Sequence, residues 1–232
     1  MRVASATSPR GQVTLVRRAD ALELRVNGVF VMDTAQTTTE RALARAALAQ
    51  VNHPEQVLVG GLGLGFTAAE MLTDERVTRL EVVEIEPAVV SWLADGSVPH
   101  GPALLADPRL HVIEADVASY VAALPPASVD ALVLDVDNGP GYLVHEGNSR
   151  LYQPQMLGTI ARVLRPGGAV VIWSSARAPE LATAMAAVLD ESDEQALAVQ
   201  LQRRDEQYWL YSGWKDEGQI SGSHGTGSAP AG

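Results

Sequence analysis

Near the start of the chain, apolar and polar positions alternate with a period of two. The segment "LELRV" shows this alternation, continues into Asn27-Gly28, and is followed by the apolar "VFVM". Asn-Gly between two such segments is typical of a β-hairpin with a two-residue turn. Together with the preceding "VTLV", the pattern predicts a three-stranded β-meander. The alanine- and leucine-rich "TTTERALARAALAQV" then predicts a helix that ends before His53.

From residue 56 onward, short apolar segments alternate with segments of helical period. The predicted strands are "QVLVG", "RLEVVEI", "LHVIEA", "DALVLD" and "AVVIWSS". The predicted helices lie near residues 65–73, 87–95, 117–123, 153–164 and 179–190, with "RPGG" as a breaker after the fourth helix. Nearly continuous apolar strands joined by helices indicate a parallel sheet that is covered on both faces.

Two late apolar segments, "ALAVQLQ" and "QYWLYSG", are joined by the polar "RRDE" and predict an antiparallel hairpin. We therefore expect an α/β protein with a Rossmann-like, seven-stranded sheet, mostly parallel with a C-terminal antiparallel hairpin, plus a small N-terminal β-meander. Residues 215–232 are rich in glycine and serine. Such a segment buries little apolar area, so we expect a disordered tail there.

Composition narrows the class of protein. The 232 residues are 47% hydrophobic, which allows a sizeable core, and neither a long apolar run nor an apolar leader is visible, so we expect a cytoplasmic protein. The lack of cysteine excludes disulfides and thiolate chemistry, and the five histidines are not spaced as metal ligands. The net charge of -11 disfavours nucleic acid as a partner and is compatible with a cationic substrate.

The glycine-rich "VLVGGLGLGF" carries the strongest chemical signal. A strand that enters a glycine turn before a helix brings backbone N–H groups close to a ligand. The turn lacks the lysine of a phosphate-binding P-loop, and a GxGxxG dinucleotide motif would require glycine where Phe66 stands. What remains is GxGxG, formed by Gly61, Gly63 and Gly65, which is associated with S-adenosylmethionine-type ligands. The alternative is a tight turn needed only for packing.

Acidic residues lie at or just after the ends of three of the predicted strands. Glu84 lies nineteen residues beyond Gly65, where nucleoside-binding folds place an acceptor for the ribose hydroxyls. Asp116 follows "LHVIEA" and is either an acceptor for an adenine amino group, a helix N-cap, or both. Asp135 and Asp137 follow "ALVL" and either take part in chemistry or only end the strand.

The order of these elements resembles the class I S-adenosylmethionine-dependent methyltransferase fold. Within it, the chain resembles the spermidine synthase (polyamine aminopropyltransferase) family over residues 12–176, through the segments "VVEIEPAVV", "DPRLHVIEADVASYV", "VDALVLDVDNGPG" and "LYQPQMLGTIARVLRPGGAVVIW". The resemblance implies that Glu84 binds ribose, that Asp116 binds adenine, and that Asp135 orients or deprotonates the attacking amine. It also implies a nucleoside-binding catalytic domain over residues 51–214, preceded by a meander and helix over residues 1–50.

The chain departs from this family at three places. Gly63 stands where the synthases have an aspartate that holds the amino end of decarboxylated S-adenosylmethionine. Without that carboxylate, the turn loses a partner for an aminopropyl group and a repulsion against the carboxylate of intact S-adenosylmethionine. The second aspartate of the family's strand-end motif is either shifted to Asp137 or replaced by Asn138. A substrate-binding tyrosine is replaced, most plainly by Thr39.

These departures lead us to expect a diverged enzyme that alkylates an amine or another small molecule, with methyl transfer from S-adenosylmethionine favoured. The alternatives are a true polyamine aminopropyltransferase that uses decarboxylated S-adenosylmethionine with Asp135 and Asp137, and a regulatory nucleoside-binding subunit without catalysis, in which Asp135 would be dispensable. In the enzyme, an ionised Asp135 suits orientation of the amine better than strong base catalysis.

Further residues have two interpretations each. Trp173 ends the fifth predicted strand of the large sheet, where it either lines the acceptor pocket or packs in the core. Tyr142, His145 and Asn148 lie in the loop after Asp137 and form either a lid over the acceptor or a surface loop. The meander offers exposed strands, so we expect a homodimer through this surface.

Overall fold

The computed structural model describes most of the chain, namely residues 1–136, 139–141, 143, 145–201 and 204–217. Several predictions therefore lie outside the described residues: those on Asp137, Asn138 and Tyr142, and that of a disordered tail beyond residue 217.

The N-terminal residues form an antiparallel sheet of four strands in the order β1-β2-β3-β4. Its strands are β1 (Arg2–Ser8), β2 (Gly11–Arg18), β3 (Ala21–Val26) and β4 (Val29–Asp33). At the β3–β4 turn, Asn27 and Gly28 have φ values of 51° and 79°, as a type I′ turn requires. The predicted meander is correct in its three strands and lacks β1, because the sequence of β1 has few apolar residues to mark it.

The larger sheet has seven strands in the order β10-β11-β9-β8-β5-β6-β7. Its strands are β5 (Gln56–Gly60), β6 (Arg79–Glu84), β7 (Leu110–Glu114), β8 (Val129–Leu134), β9 (Leu164–Ser174), β10 (Glu191–Leu201) and β11 (Arg204–Trp214). Strands β5 to β9 pair in parallel, whereas β11 is antiparallel to both β9 and β10. The predicted Rossmann-like sheet with a C-terminal hairpin is confirmed.

Helices connect the strands and cover the sheet. They are α1 (Thr38–Ala49), α2 (Phe66–Met71), α3 (Pro87–Ala94), α4 (Gly101–Leu105), α5 (Val117–Ala123), α6 (Pro154–Val163) and α7 (Pro179–Ala186). A 3₁₀ segment, Glu146–Tyr152, precedes α6. The sequence did not predict α4 or the 3₁₀ segment, because neither is long enough for its apolar residues to show a helical period. No helix in the described part of the chain is long and apolar enough to cross a membrane.

Two connections differ from the prediction. Strand β9 runs through "RPGG" instead of beginning after it, and the β8–β9 ladder shifts its register there, with Gly167 at a φ of 76°. A glycine in this conformation accommodates a bulge, so the segment bends a strand rather than ending it. Likewise, Leu201 pairs with Arg204, so most of "RRDE" belongs to β11 and not to the turn.

The core lies on both faces of the large sheet. Val133 of β8 faces one cluster while Leu132 and Leu134 face the other, as the alternation of side chains along a strand requires. The first cluster also contains Leu43 of α1 and Leu24 of the meander. The small sheet and α1 therefore pack on one face of the large sheet, and this packing places β4 beside the carboxyl ends of the parallel strands.

Candidate active site

The turn between β5 and α2 is held by glycine for steric reasons. Gly61, Gly63 and Gly65 have φ values of 95°, 50° and 86°. A Cβ atom on Gly61 would lie 2.2 Å from the carbonyl oxygen of Asp135, and one on Gly63 would lie 2.5 Å from the Sδ of Met32. Both distances are shorter than van der Waals contact. At Gly61 the obstacle is backbone, so only glycine allows this approach to the end of β8, whereas at Gly63 it is the side chain of Met32 on β4.

Glu84, the last residue of β6, joins this turn to the start of α3. Its Oε2 accepts a hydrogen bond from the backbone N–H of Leu62 at 2.9 Å, and its Oε1 accepts one from that of Glu86 at 2.8 Å. Burial raises the pKa of Glu84, and these backbone hydrogen bonds oppose the rise. Four backbone N–H groups, those of Leu62, Gly63, Ile85 and Glu86, therefore surround this carboxylate and fix it beside the turn.

Asp116 is the N-cap of α5. Its Oδ1 accepts a hydrogen bond from the backbone N–H of Ser119 at 2.9 Å, and its Oδ2 forms an ion pair with Arg150 of the 3₁₀ segment. Burial acts to raise the pKa of Asp116, but the hydrogen bonds from Ser119 and the charge of Arg150 outweigh it, so that the pKa is lowered. The residue is ionised at neutral pH.

These acids line one side of an open cavity of about 870 Å³, which we call the first cavity. Glu84, Asp116, Gly61, Gly63 and Asp135 all contribute to it. The opposite wall is apolar and comes from the meander: Val13, Leu24, Val26 and Val31.

Residues of the loop after β8 line the first cavity and contact the N-terminal sheet. Arg10, in the β1–β2 turn, donates a hydrogen bond from Nη2 to the Oδ1 of Asn148 at 3.1 Å, and its Nε lies 3.8 Å from Glu86. His145 and Asn148 line this cavity and not the one described next. Whether these two residues act as a lid over the acceptor therefore stays a prediction.

Asp135 directly follows β8 and faces both cavities. Its backbone N–H donates to the carbonyl of Gly60 at 2.8 Å, and its Oδ2 accepts a hydrogen bond from the hydroxyl of Thr67 at 2.6 Å. Burial raises the pKa of Asp135 to about 6, while the Thr67 hydrogen bond opposes the rise. The carboxylate thus stands at a junction, and it is mostly ionised at neutral pH.

A second cavity, of about 820 Å³, lies on the other side of Asp135. It shares Val31, Gly63 and Asp135 with the first cavity. Its lining combines acidic, aromatic and hydroxyl side chains: Asp33, Glu40, Phe30, Trp173, Tyr208 and Thr39. The rings of Trp173 and Tyr208 are 5.2 Å apart and tilted by 58°. Trp173 and Thr39 thus both lie at the second cavity.

The carboxylates of the second cavity have few partners. Glu40 is 9% exposed, and its Oε2 accepts a hydrogen bond from the Thr39 hydroxyl at 2.8 Å. Burial, together with the negative charge of Asp135, raises the pKa of Glu40 to about 7. Within the described residues, no salt bridge involves Glu40 or Asp135. No group of three metal-ligating side chains occurs in that part of the chain either.

The sequence did not single out Glu40 or Tyr208. Glu40 lies three, four and seven residues before Leu43, Ala44 and Ala47, which form the buried face of α1. An acidic residue in line with a buried apolar stripe was therefore the signal for Glu40. Tyr208 had no such signal, because aromatic residues on a late strand are common in cores, as Tyr211 is.

No known family model matches the chain, but individual proteins do. It is 32% identical over 151 residues to putrescine N-methyltransferase 4 of Nicotiana tabacum, an alignment that covers 61% of this chain and 37% of that protein. It is 29% identical over 164 residues to a polyamine aminopropyltransferase of Mycobacterium tuberculosis, and this alignment covers 69% of this chain and 30% of that protein. The chain thus spans between 30% and 37% of the length of these curated relatives.

Two solved structures share its architecture. A spermidine synthase in complex with the transition state analogue AdoDATO superposes with a TM-score of 0.79 at 16% identity, over 94% of this chain and 75% of the other. The spermidine synthase of Thermotoga maritima superposes with a TM-score of 0.78 at 14% identity, over 95% of this chain and 74% of the other. These similarities in sequence and fold confirm the predicted resemblance to spermidine synthase-like proteins of the class I methyltransferase fold.

Proposed function

We propose that this protein is a transferase that moves an alkyl group from an S-adenosyl-nucleoside donor to an amine. The observation that carries the proposal is the meeting of two cavities at Gly63 and Asp135. One cavity joins a glycine turn to a strand-end glutamate, and the other is acidic and aromatic. A donor and an acceptor in these two cavities would meet beside Asp135.

The first cavity fits the nucleoside part of such a donor. Glu84 lines this cavity with a carboxylate fixed by backbone N–H groups, and its two oxygens suit two neighbouring ribose hydroxyls. Asp116 is held at the cavity by Ser119 and Arg150, where its carboxylate can accept a hydrogen bond from the adenine amino group. The apolar wall from the meander suits the face of the base. Gly61, Gly63 and Gly65 allow the backbone to approach the remainder of the donor.

Intact S-adenosylmethionine is the donor that we propose. Gly63 presents no carboxylate to the donor, and the space where its Cβ would lie is taken by Met32. The turn thus neither holds an aminopropyl group nor repels the donor's carboxylate. The similarity to putrescine N-methyltransferases supports the same choice. This donor supplies a methyl group attached to a positively charged sulfur.

Asp135 orients the acceptor in this proposal. Its carboxylate is fixed by the Thr67 hydroxyl and by its position at the end of β8, so it can hold an N–H of the amine in one direction. Fixing the attacking atom in this way supplies much of the rate enhancement in a two-substrate transfer.

A second candidate is aminopropyl transfer from decarboxylated S-adenosylmethionine. The similarity to the polyamine aminopropyltransferase of Mycobacterium tuberculosis and the acidity of the second cavity favour it. Calorimetry with the two donors separates the candidates. We expect S-adenosylmethionine to bind more tightly, whereas a preference of tenfold or more for the decarboxylated form, about 1.4 kcal/mol, would reverse the order. If the folded protein bound neither donor, the proposed function would be wrong.

We also propose that the protein forms a homodimer through its N-terminal sheet. The sheet order leaves β1 and β4 as the edges of the meander, and Val29 on β4 is 51% exposed. A homodimer through this surface would cover it. Sedimentation analysis tests the dimer, and a monomer at every accessible concentration would contradict it. The predicted division of the chain into an N-terminal part (residues 1–50) and a catalytic domain (residues 51–214) stays a prediction. The same holds for the cytoplasmic location.

A further inference from the structure

The second cavity carries negative charge that the described residues do not compensate. Asp33 is the exception, since its Oδ1 accepts hydrogen bonds from the backbone N–H groups of Ala35 and Gln36 at 2.9 and 2.8 Å. Among the described residues, Glu40 and Asp135 each accept a side-chain hydrogen bond from one hydroxyl group, and the backbone N–H of Glu40 also acts on its own carboxylate. Two such carboxylates in one cavity with aromatic walls favour a ligand that brings a positive charge.

We propose that the acceptor enters this cavity as a protonated amine and that Glu40 takes its proton, while Asp135 stays ionised and orients the nitrogen. This inference rests on the proposed transfer, and it assigns the base to a residue of α1 rather than to the strand-end loop. Glu40 would be a catalytic residue, because it contacts the acceptor directly.

The surroundings of Glu40 fit this role. The groups that face it are Asp33 from the end of β4, Asp135 from the end of β8 and Tyr208 from β11. The next basic residues on its own helix, Arg41 and Arg45, are each bound to Glu70 of α2 at 2.6 Å. Neither forms a salt bridge with Glu40 among the described residues, so an incoming ammonium would be its first cationic partner.

The two carboxylates differ in basicity in the direction that the proposal needs. Burial and the charge of Asp135 raise the pKa of Glu40 to about 7, whereas burial raises that of Asp135 to about 6. General bases work best when their pKa lies near the working pH. Glu40 is therefore the better proton acceptor of the pair, and Asp135 is the one that remains charged.

The transfer balances as follows. An N–H bond of the ammonium breaks, the proton joins a carboxylate oxygen of Glu40, and the electron pair stays on nitrogen. That pair forms the bond to the transferred carbon while the carbon–sulfur bond breaks. Sulfur keeps the electrons of the broken bond and becomes neutral, and the alkylated nitrogen carries the positive charge. The proton on Glu40 passes to solvent after the product leaves.

Glu40→Gln tests the role with putrescine as the acceptor probe and S-adenosylmethionine as the donor. We expect kcat to fall about 10²-fold or more, with a smaller change in the KM for the donor. The wild type should lose activity as pH falls below about 7, and the variant should lack this limb. Glu40→Asp, which keeps the carboxylate, should recover part of the rate. Glu191→Gln on exposed β10 is the matched control, with unchanged kinetics.

A binding measurement gives a readout independent of turnover. Calorimetry of putrescine with protein saturated by S-adenosylhomocysteine, in buffers of different ionisation enthalpy, counts protons. At pH 7, where Glu40 is half protonated, binding of the cation should release about half a proton in the wild type and almost none in Glu40→Gln.

The outcomes separate this inference from the proposed function. If Glu40→Gln keeps the wild-type rate, pH limb and proton release, another group takes the proton and the inference is wrong, while donor binding and transfer still stand. If putrescine binding releases no protons in the wild type, the inference is also wrong. Failure of the wild type to bind any S-adenosyl nucleoside would overturn both.

Discussion

The two cavities that meet at Asp135 differ in how their carboxylates are balanced. In the first cavity, Glu84 accepts two backbone N–H groups and Asp116 has a backbone N–H and Arg150. In the second, Glu40 and Asp135 each have one hydroxyl partner. Carboxylates that are already compensated give fixed acceptors for a neutral nucleoside. Glu40 and Asp135, with fewer donors to offset their burial, are suited to bind a cation and to exchange protons.

Removing the charge at the junction should have the largest effect. Asp135→Asn keeps the shape of the side chain and its contact with Thr67, but loses the negative charge that orients the amine. We expect kcat to fall by about 10²- to 10⁴-fold, with nucleoside binding changed only a few-fold. Steady-state kinetics and calorimetry measure the two quantities, and Asp95→Asn, on the exposed end of α3, is the control. Unchanged turnover would assign Asp135 to structure and favour a non-catalytic nucleoside-binding protein.

The uncompensated state of Glu40 should also appear as a cost in stability. Its pKa is raised from 4.5 to about 7, so the native state keeps a proton that the unfolded chain has lost between these pH values. Glu40 therefore contributes about 3 kcal/mol to the free energy of unfolding below pH 4.5. This contribution is lost as pH rises from 4.5 through about 7.

Urea unfolding of the wild type and Glu40→Gln at pH 4.5 and pH 8 checks this sign. The variant should be the more stable protein at pH 8, and its advantage should disappear at pH 4.5. A constant difference at both pH values would mean that the carboxyl is not perturbed by burial.

In the first cavity, the expected effect is on donor affinity. Glu84→Gln keeps one oxygen acceptor but places an NH₂ group against one of the two backbone donors, from Leu62 or Glu86. We expect the affinity for S-adenosylhomocysteine to fall about 10- to 100-fold, in line with the loss of hydrogen bonds to a charged group. The affinity for putrescine should change much less. Equal losses for both ligands would show that the two cavities do not act separately.

The smallest expected effect concerns the choice of donor at Gly63. Asp and Asn both tolerate its φ of 50°, so they form a matched pair that differs in charge. In a Met32→Ala background, which opens the space for a Cβ, Gly63→Asp should shift the preference toward decarboxylated S-adenosylmethionine by about tenfold relative to Gly63→Asn. Competition calorimetry with the two donors measures this ratio, and an unchanged ratio would remove Gly63 from the argument on donor choice.

Local patterns in the sequence were sufficient for the large sheet and for the glycine turn and strand-end acids that line the first cavity. The glycine turn and Glu84 are recognisable because strand, turn and spacing follow one another along the chain. Strand β1 was missed because it is marked by pairing with β2 and not by apolar residues.

The second cavity was harder to predict because distant segments build it. Phe30, Glu40, Trp173 and Tyr208 come from four separate elements, and no short motif contains them. The position of the loop after β8 likewise depends on the contact of Arg10 with Asn148, residues 138 positions apart. Sequence spacing does not encode such a contact, so the sequence left open whether the loop is a lid or only a surface loop.

The thioether of Met32 limits how this chain could change its donor. Its Sδ accepts a hydrogen bond from the backbone N–H of Leu64 at 3.2 Å and fills the space that a side chain at position 63 would need. A single change to aspartate at position 63 would have to displace this side chain first, and overpacking costs about 1–3 kcal/mol. A smaller residue at position 32 would remove this obstacle, so a residue of β4 influences which side chain the glycine turn can carry.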